Sequence, residues 1–180
     1  MNLEEAIATR RSIRSYTDEP VSKEEILRLL EMAMQAPYAS ACWRFVVVQD
    51  PGRRKQLSEI ARQDWIANVP VIVVVGADTQ AFLDHQNVRW DAYKFRELFY
   101  IQDTAAAIQN LMLAATDMGL GTCWIGSFTE GGVSKAVKFP RNVRPVAMVT
   151  LGHPAEQPKE KTLKPLEECA FWETYGAKSP

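Results

Sequence analysis

Arg10, Arg11, Ser12 and Arg14 bring three guanidinium groups and a hydroxyl together within five residues. A guanidinium is a planar fork that matches two phosphate oxygens, and a hydroxyl adds a further donor. Read from pattern alone, the cluster is either a phosphate clamp or a solvated basic turn. Other residues capable of chemistry are sparse. His85 and His153 have no acidic or cysteine neighbours at ligand spacing, so no metal site is expected. Cys42, Cys123 and Cys169 are too few and too far apart for a disulfide framework and include no CxxC pair, and Cys123 reads as a small hydrophobe. Gly76-Ala77-Asp78 follows an apolar run but lacks G-x-G-x-x-G, so no Rossmann dinucleotide site is expected.

Length and composition bound what must position these residues. A chain of 180 residues, 47% of them hydrophobic, has material for one good core and is short for two, so residues 1–180 are expected to form a single domain. The 21 Lys and Arg nearly cancel the 22 Asp and Glu, so any anion site must be local, and neither nucleic acid nor an anionic membrane is an expected partner. Met1 leads into Asn2-Leu3-Glu4-Glu5 with no basic, greasy leader, and no later run approaches the ~18 apolar residues of a membrane span. A cytoplasmic protein is expected.

Asn2 with Glu5, and Ser22 with Glu25, read as capping boxes that open two helices, the second carrying Ile26, Leu29, Leu30, Ala33 and Met34 on one face and ending by Pro37. Phe45-Val46-Val47-Val48 predicts a short buried strand, and Asp50-Pro51 the cap and first turn of another helix. Residues 70–76 are apolar without alternation, as in a central strand covered on both faces. Residues 82–100 mix aromatic and charged types and suit an amphipathic helix or a lid. Residues 101–118 predict a buried helix capped by Gly119 or Gly121, its alanines leaving room for tight intrachain packing or a dimer seam. A turn and short strand over 121–126, a brief helix over 133–138 and a strand over 145–152 complete the core. Leu166, Phe171, Trp172 and Tyr175 then anchor a polar tail expected to wrap a neighbour.

Five blocks in order carry a resemblance. Arg10-Arg11-Ser12-Ile13-Arg14-Ser15-Tyr16, Gln35-Ala36-Pro37 ahead of Trp43-Arg44-Phe45-Val46-Val47-Val48, Gln102-Asp103 with Ala107-Ile108-Gln109-Asn110-Leu111, Gly119-Leu120-Gly121-Thr122-Cys123-Trp124-Ile125-Gly126, and Leu151-Gly152-His153-Pro154 are similar to the motifs of the nitroreductase family. The resemblance spans nearly the whole chain. It implies an α+β fold, a central mixed β-sheet flanked by helices, in an intertwined homodimer whose C-terminal tail wraps the partner. It also implies flavin mononucleotide (FMN) as cofactor. By that likeness Arg10, Arg11, Ser12 and Arg14 bind the flavin phosphate and ribityl chain. Pro37, Tyr38, Ala39 and Ser40 reach the flavin from the partner subunit. Trp124, Ile125, Gly126 and Ser127 lie along the ring, where a backbone N–H near N5 stabilises its reduced form. Lys164, or Lys161 in its place, supplies the phosphate with a basic residue from the tail.

The loop after Pro37 departs from the family pattern. Members carry a small residue there, then Asn and Gln-Pro before the tryptophan; this chain has Tyr38, lacks the Asn and Gln-Pro, and is about two residues shorter. Tyr38 either stacks near the flavin or packs on a loop neighbour. Trp124 and Ile125 likewise read either as flavin contacts or as ordinary core. The implied activity is a ping-pong transfer of hydride equivalents from NADH or NADPH, through flavin N5, to a nitroaromatic, quinone or similar acceptor, with no catalytic side chain required. The alternatives are a flavin-binding or storage protein, and a related reductive dehalogenase.

Overall fold

Three helices begin where the sequence places their caps. The computed structural model describes residues 1–38, 41–83, 96–158 and 160–177. In α1 (Leu3–Thr9) the Asn2 side chain accepts from Glu5 N–H and Glu5 accepts from Asn2 N–H; Ser22 and Glu25 do the same for α2 (Lys23–Ala33). Strand β1 (Trp43–Val48) is followed by α3 (Pro51–Ala61), where Asp50 accepts from Arg53 N–H at 2.8 Å and Pro51 occupies the first turn. A 3₁₀ turn (Asp64–Asn68), β2 (Val71–Asp78), the five-residue α4 (Thr79–Leu83), α5 (Arg96–Asp117), β3 (Gly121–Ile125), α6 (Glu130–Val137) and β4 (Val143–Gly152) follow. Gly119 ends α5 at φ 76°, a conformation a side chain resists.

The sheet has the order β1-β2-β4-β3, and its three ladders are antiparallel. Among the described residues, parallel pairing is confined to the isolated bridge between Ser12 and Thr122. Strand β2 is central and its unbroken apolar run is explained by helices on both faces. Val71, Val73 and Val75 pack with Leu29 and Ala33 of α2 and with Ala107, Ile108 and Leu111 of α5. Ile72 and Val74 point the other way, to Leu57 of α3 and Val133 of α6. Intrachain packing accounts for Ala107 and Ala115, both fully buried, while Ala105, Ala106 and Ala114 on α5 stay half-buried.

The strand expected over 70–76 continues to Asp78, so Gly76 lies inside it, at a bulge where the register slips past Val146. A Cβ at Gly76 would lie 2.6 Å from Val143 and 2.9 Å from the Phe139 ring. Gly76→Ala is therefore expected to cost about 1–3 kcal/mol through overpacking. A drop in urea midpoint at unchanged slope would report it, and an unchanged midpoint would mean the bulge relaxes freely.

Most of the aromatic stretch over 82–100, including Trp90, Tyr93 and Phe95, lies outside the described residues. Its end belongs to α5, where Tyr100 is buried and its hydroxyl accepts from Arg144 at 3.0 Å. Beyond β4 the tail runs back along the N-terminal segment, with Thr17 N–H donating to His153 C=O and Ala155 N–H to Ser15 C=O. Farther on, Leu163, Leu166, Trp172 and Tyr175 are exposed, Tyr175 by 93%. Phe171 leans on Tyr175 with ring centroids 4.7 Å apart.

Candidate functional site

The basic cluster leaves helical geometry after Thr9 and runs as extended chain along β3, an edge strand. Ile13 N–H donates to Thr122 C=O at 2.9 Å. The Ile13 side chain is buried so tightly over Gly121 that a Cβ there would sit 3.0 Å from three of its carbons. In extended chain alternate side chains point to opposite sides, so seating Ile13 inward leaves Ser12 and Arg14 exposed.

The three arginines have different employment. Arg11 donates to the carbonyls of Ala8 at 2.6 Å and Arg10 at 2.9 Å, satisfying orphan acceptors at the end of α1. The Arg14 guanidinium lies 6.0 Å above the Trp65 ring. Among the described residues the guanidinium groups of Arg10 and Arg14 have no hydrogen bond or ion pair. Both line a cavity of about 530 Å3 with Arg11, Ser12, Glu156 and Lys161, a size suited to a small-molecule site. Lys161, and not Lys164, lines this wall; Lys164 is exposed.

Two side chains that the sequence did not single out hold the cluster in place. One carboxylate oxygen of Glu156 accepts from Arg14 N–H at 2.6 Å and Ser15 N–H at 3.1 Å. The Tyr16 hydroxyl donates to Ile13 C=O at 2.6 Å and lies 2.6 Å from Thr150 Oγ1, which accepts from Cys123 N–H at 3.1 Å. Burial pushes the Tyr16 phenol well above its ordinary range, so it remains a donor. Thr150 was visible as a lone hydroxyl in an apolar strand, and Tyr16 as part of a motif; Glu156 had no signal beyond its charge. Burial also pushes the Cys123 thiol up, against the opposing pull of Arg14 and the Ser12 hydroxyl, which fits a packed thiol and not a nucleophile.

Strand β3 leads from this cluster to the other predicted contacts. Trp124 pairs with Val149, yet is 37% exposed. Ile125 is buried in the cluster with Val74 and Val133, so its side chain is core. Gly126 and Ser127 lie exposed just beyond the strand. Pro37 and Tyr38 are elsewhere. Tyr38 is exposed and meets the Trp43 ring edge-on at 5.1 Å, the loop-neighbour reading within this chain. Trp43 begins β1, at the opposite edge of the sheet from β3 and at the opposite end from Thr122. Strand spacing and rise put these corners about 14 Å apart across the sheet and roughly 17–20 Å along it. Ala39 and Ser40 lie outside the described residues.

Residues 7–153 match the model of the nitroreductase family. Among curated proteins the chain is 32% identical over 182 residues to the FMN reductase [NAD(P)H] of Bacillus subtilis, covering 94% of this chain and 73% of that one. Among solved structures it is similar to the NfrA1 nitroreductase from B. subtilis, with TM-score 0.87 and 28% identity over 99% of this chain and 76% of that chain. The NADPH:FMN oxidoreductase from Vibrio harveyi, solved in complex with NAD+, also superposes with TM-score 0.87, at 25% identity over 99% of this chain and 80% of that one.

Proposed function

The chain belongs to the nitroreductase family, and from that premise we propose that it is an FMN-dependent oxidoreductase that draws reducing equivalents from NADH or NADPH. Its acceptor is a nitroaromatic, a quinone or a second flavin molecule. The relatives named FMN reductase and NADPH-flavin oxidoreductase support the donor and the cofactor. The observation that carries the reading is the pair of guanidinium groups, Arg10 and Arg14, that make no hydrogen bond or ion pair among the described residues and line one cavity with the Ser12 hydroxyl. A phosphate monoester would give them the oxygens they lack.

When bound, the flavin supplies two-electron redox chemistry between the nicotinamide and the acceptor. The side chains have other tasks. Arg10, Ser12 and Arg14 hold the phosphate and ribityl end, with Lys161 adding positive charge from the tail. Trp124, Gly126 and Ser127 present the open end of β3 to the ring, and the missing Cβ of Gly126 lets the chain approach closely. In this reading donor and acceptor succeed each other over the ring at this exposed end, a ping-pong order. No residue need move a proton for this division of labour.

The functional unit in this reading is a homodimer. Pro37 and Tyr38 flank the sheet edge opposite the Arg10–Arg14 cavity, and in this reading they serve the partner's flavin. The exposed Leu163, Leu166 and Trp172 of the tail wrap that partner. Sedimentation should give a dimer carrying two flavins, and a monomer fully occupied by FMN would refute it.

Adding FMN at ~100 times its dissociation constant should stabilise the folded protein by about 2.7 kcal/mol and raise its melting temperature. Riboflavin, which lacks the phosphate, should do less; equal stabilisation by both would remove the clamp. Anaerobic bleaching of the bound flavin by NADH or NADPH is expected, and a flavoprotein that stays yellow is a store and not a reductase.

A further inference from the structure

Residues 12–15 carry Ser12 and Arg14 of the clamp, yet backbone pairing ties them to the fold at only two described points, Ile13 N–H to Thr122 and Ser15 C=O to Ala155 N–H. Three other backbone groups of this stretch are held by side chains. Ile13 C=O receives the Tyr16 hydroxyl, and the N–H groups of Arg14 and Ser15 converge on Glu156 Oε1. The direction of the Tyr16 chain follows from its ends. Cys123 N–H can only donate, so Thr150 Oγ1 accepts; Ile13 C=O can only accept, so Tyr16 donates. The one proton left for the 2.6 Å contact between the hydroxyls is that of Thr150. A one-way relay therefore runs from β3 through β4 into the basic segment.

We propose that Tyr16 and Glu156 are the positioning residues of the phosphate clamp, with Thr150 acting through Tyr16. This rests on the reading of Arg10, Ser12 and Arg14 as the FMN phosphate site. Tyr16 holds the extended segment by Ile13 C=O and Glu156 holds it by the two following N–H groups, so the direction in which Ser12 and Arg14 leave the sheet edge is set from both sides. Glycine at position 152 belongs to the same device, because a Cβ there would lie 2.7 Å from the Tyr16 ring. Glu156 contributes as an acceptor: both bonds end on one oxygen, which an amide oxygen can replace.

The test compares dissociation constants of FMN and of riboflavin, by flavin fluorescence, for the unsubstituted protein and its Tyr16→Phe, Thr150→Val, Glu156→Ala, Glu156→Gln and Arg10→Ala variants. Tyr16→Phe and Thr150→Val should each weaken FMN about 3- to 10-fold, the range of one neutral hydrogen bond, with riboflavin affected less. Glu156→Ala should bind FMN roughly tenfold more weakly than Glu156→Gln, which keeps the acceptor and loses the same charge. Thr150→Val covers the case in which Tyr16→Phe does not fold, since it cuts the relay one link back. If Arg10→Ala spares riboflavin while none of the other variants changes the FMN to riboflavin ratio, the positioning role is overturned. Glu156→Gln matching Glu156→Ala overturns the acceptor role of Glu156. Arg10→Ala weakening both flavins equally overturns the clamp, and this assignment with it.

Discussion

Arg10→Ala should weaken FMN binding by about 10- to 150-fold and leave riboflavin binding nearly unchanged. The magnitude is that of one hydrogen bond to a charged group, roughly 1.5–3 kcal/mol, at 1.4 kcal/mol per factor of ten. Arg10 is half-buried beside the cavity, and its guanidinium makes no hydrogen bond or ion pair among the described residues, so truncation removes ligand contacts and little of the fold. Arg14→Ala should cost a similar amount, with the loss of its contact to Trp65 added. Arg11→Ala should differ in kind, because that side chain is already spent on the carbonyls of Ala8 and Arg10. Its expected cost is a few tenths to about 1 kcal/mol of stability from the frayed end of α1, with little change in affinity. Titrations at two salt concentrations sharpen the contrast, since exposed charge pairs weaken with ionic strength. Equal loss of FMN and riboflavin in Arg10→Ala would mean that the residue shapes the pocket without touching phosphate.

Leu111→Ala should destabilise the fold by about 2–5 kcal/mol, the range for emptying a fully buried leucine site. Leu111 is 0% exposed and sits where α5 meets both α2 and the sheet, so collapse into the cavity would require a helix to move against a strand. For a chain of this size about 2–4 °C of melting temperature is lost per kcal/mol, which makes a fall of roughly 4–20 °C the expected reading. Leu166→Ala provides the contrast. At 76% exposure in one chain it should change the stability of that chain by no more than about 0.5 kcal/mol. If the tail wraps a partner, the same change shifts the sedimentation equilibrium toward monomer and makes the melting temperature depend more steeply on protein concentration. A Leu111→Ala protein that melts like the parent would show that α5 is not the core element its burial indicates.

Much of the architecture was legible because it depends on neighbours. A capping box needs residues three apart, so Asn2 with Glu5 and Ser22 with Glu25 announce their helices without reference to the rest of the chain. The unbroken apolar run of β2 marks a strand covered on both faces. Where local rules compete, boundaries moved. Gly76 reads as a strand end, yet the chain continues to Asp78 because a bulge absorbs the glycine against Phe139 and Val143.

By itself, the sequence determined the residue types that the chemistry needs and the elements that carry them: a basic segment after a capped helix, a glycine-flanked strand at 121–126, an apolar sheet centre, and an ordered set of motifs specific enough to name the family. Only the tertiary structure decided how those residues are employed. Arg10, Arg11 and Arg14 are alike in sequence and all line the cavity, and the end of α1 takes the hydrogen bonds of Arg11 alone. Tyr16 meets Thr150 across 134 positions and Glu156 reaches Arg14 across 142, contacts that exist because the sheet register brings the end of β4 beside β3 and the basic segment. The same register sends Tyr38 to the opposite corner and brings Lys161, not Lys164, to the cavity wall. A helix cap is closed by bonds spanning one turn, whereas a binding site is closed by bonds whose partners become neighbours only after the strands have paired.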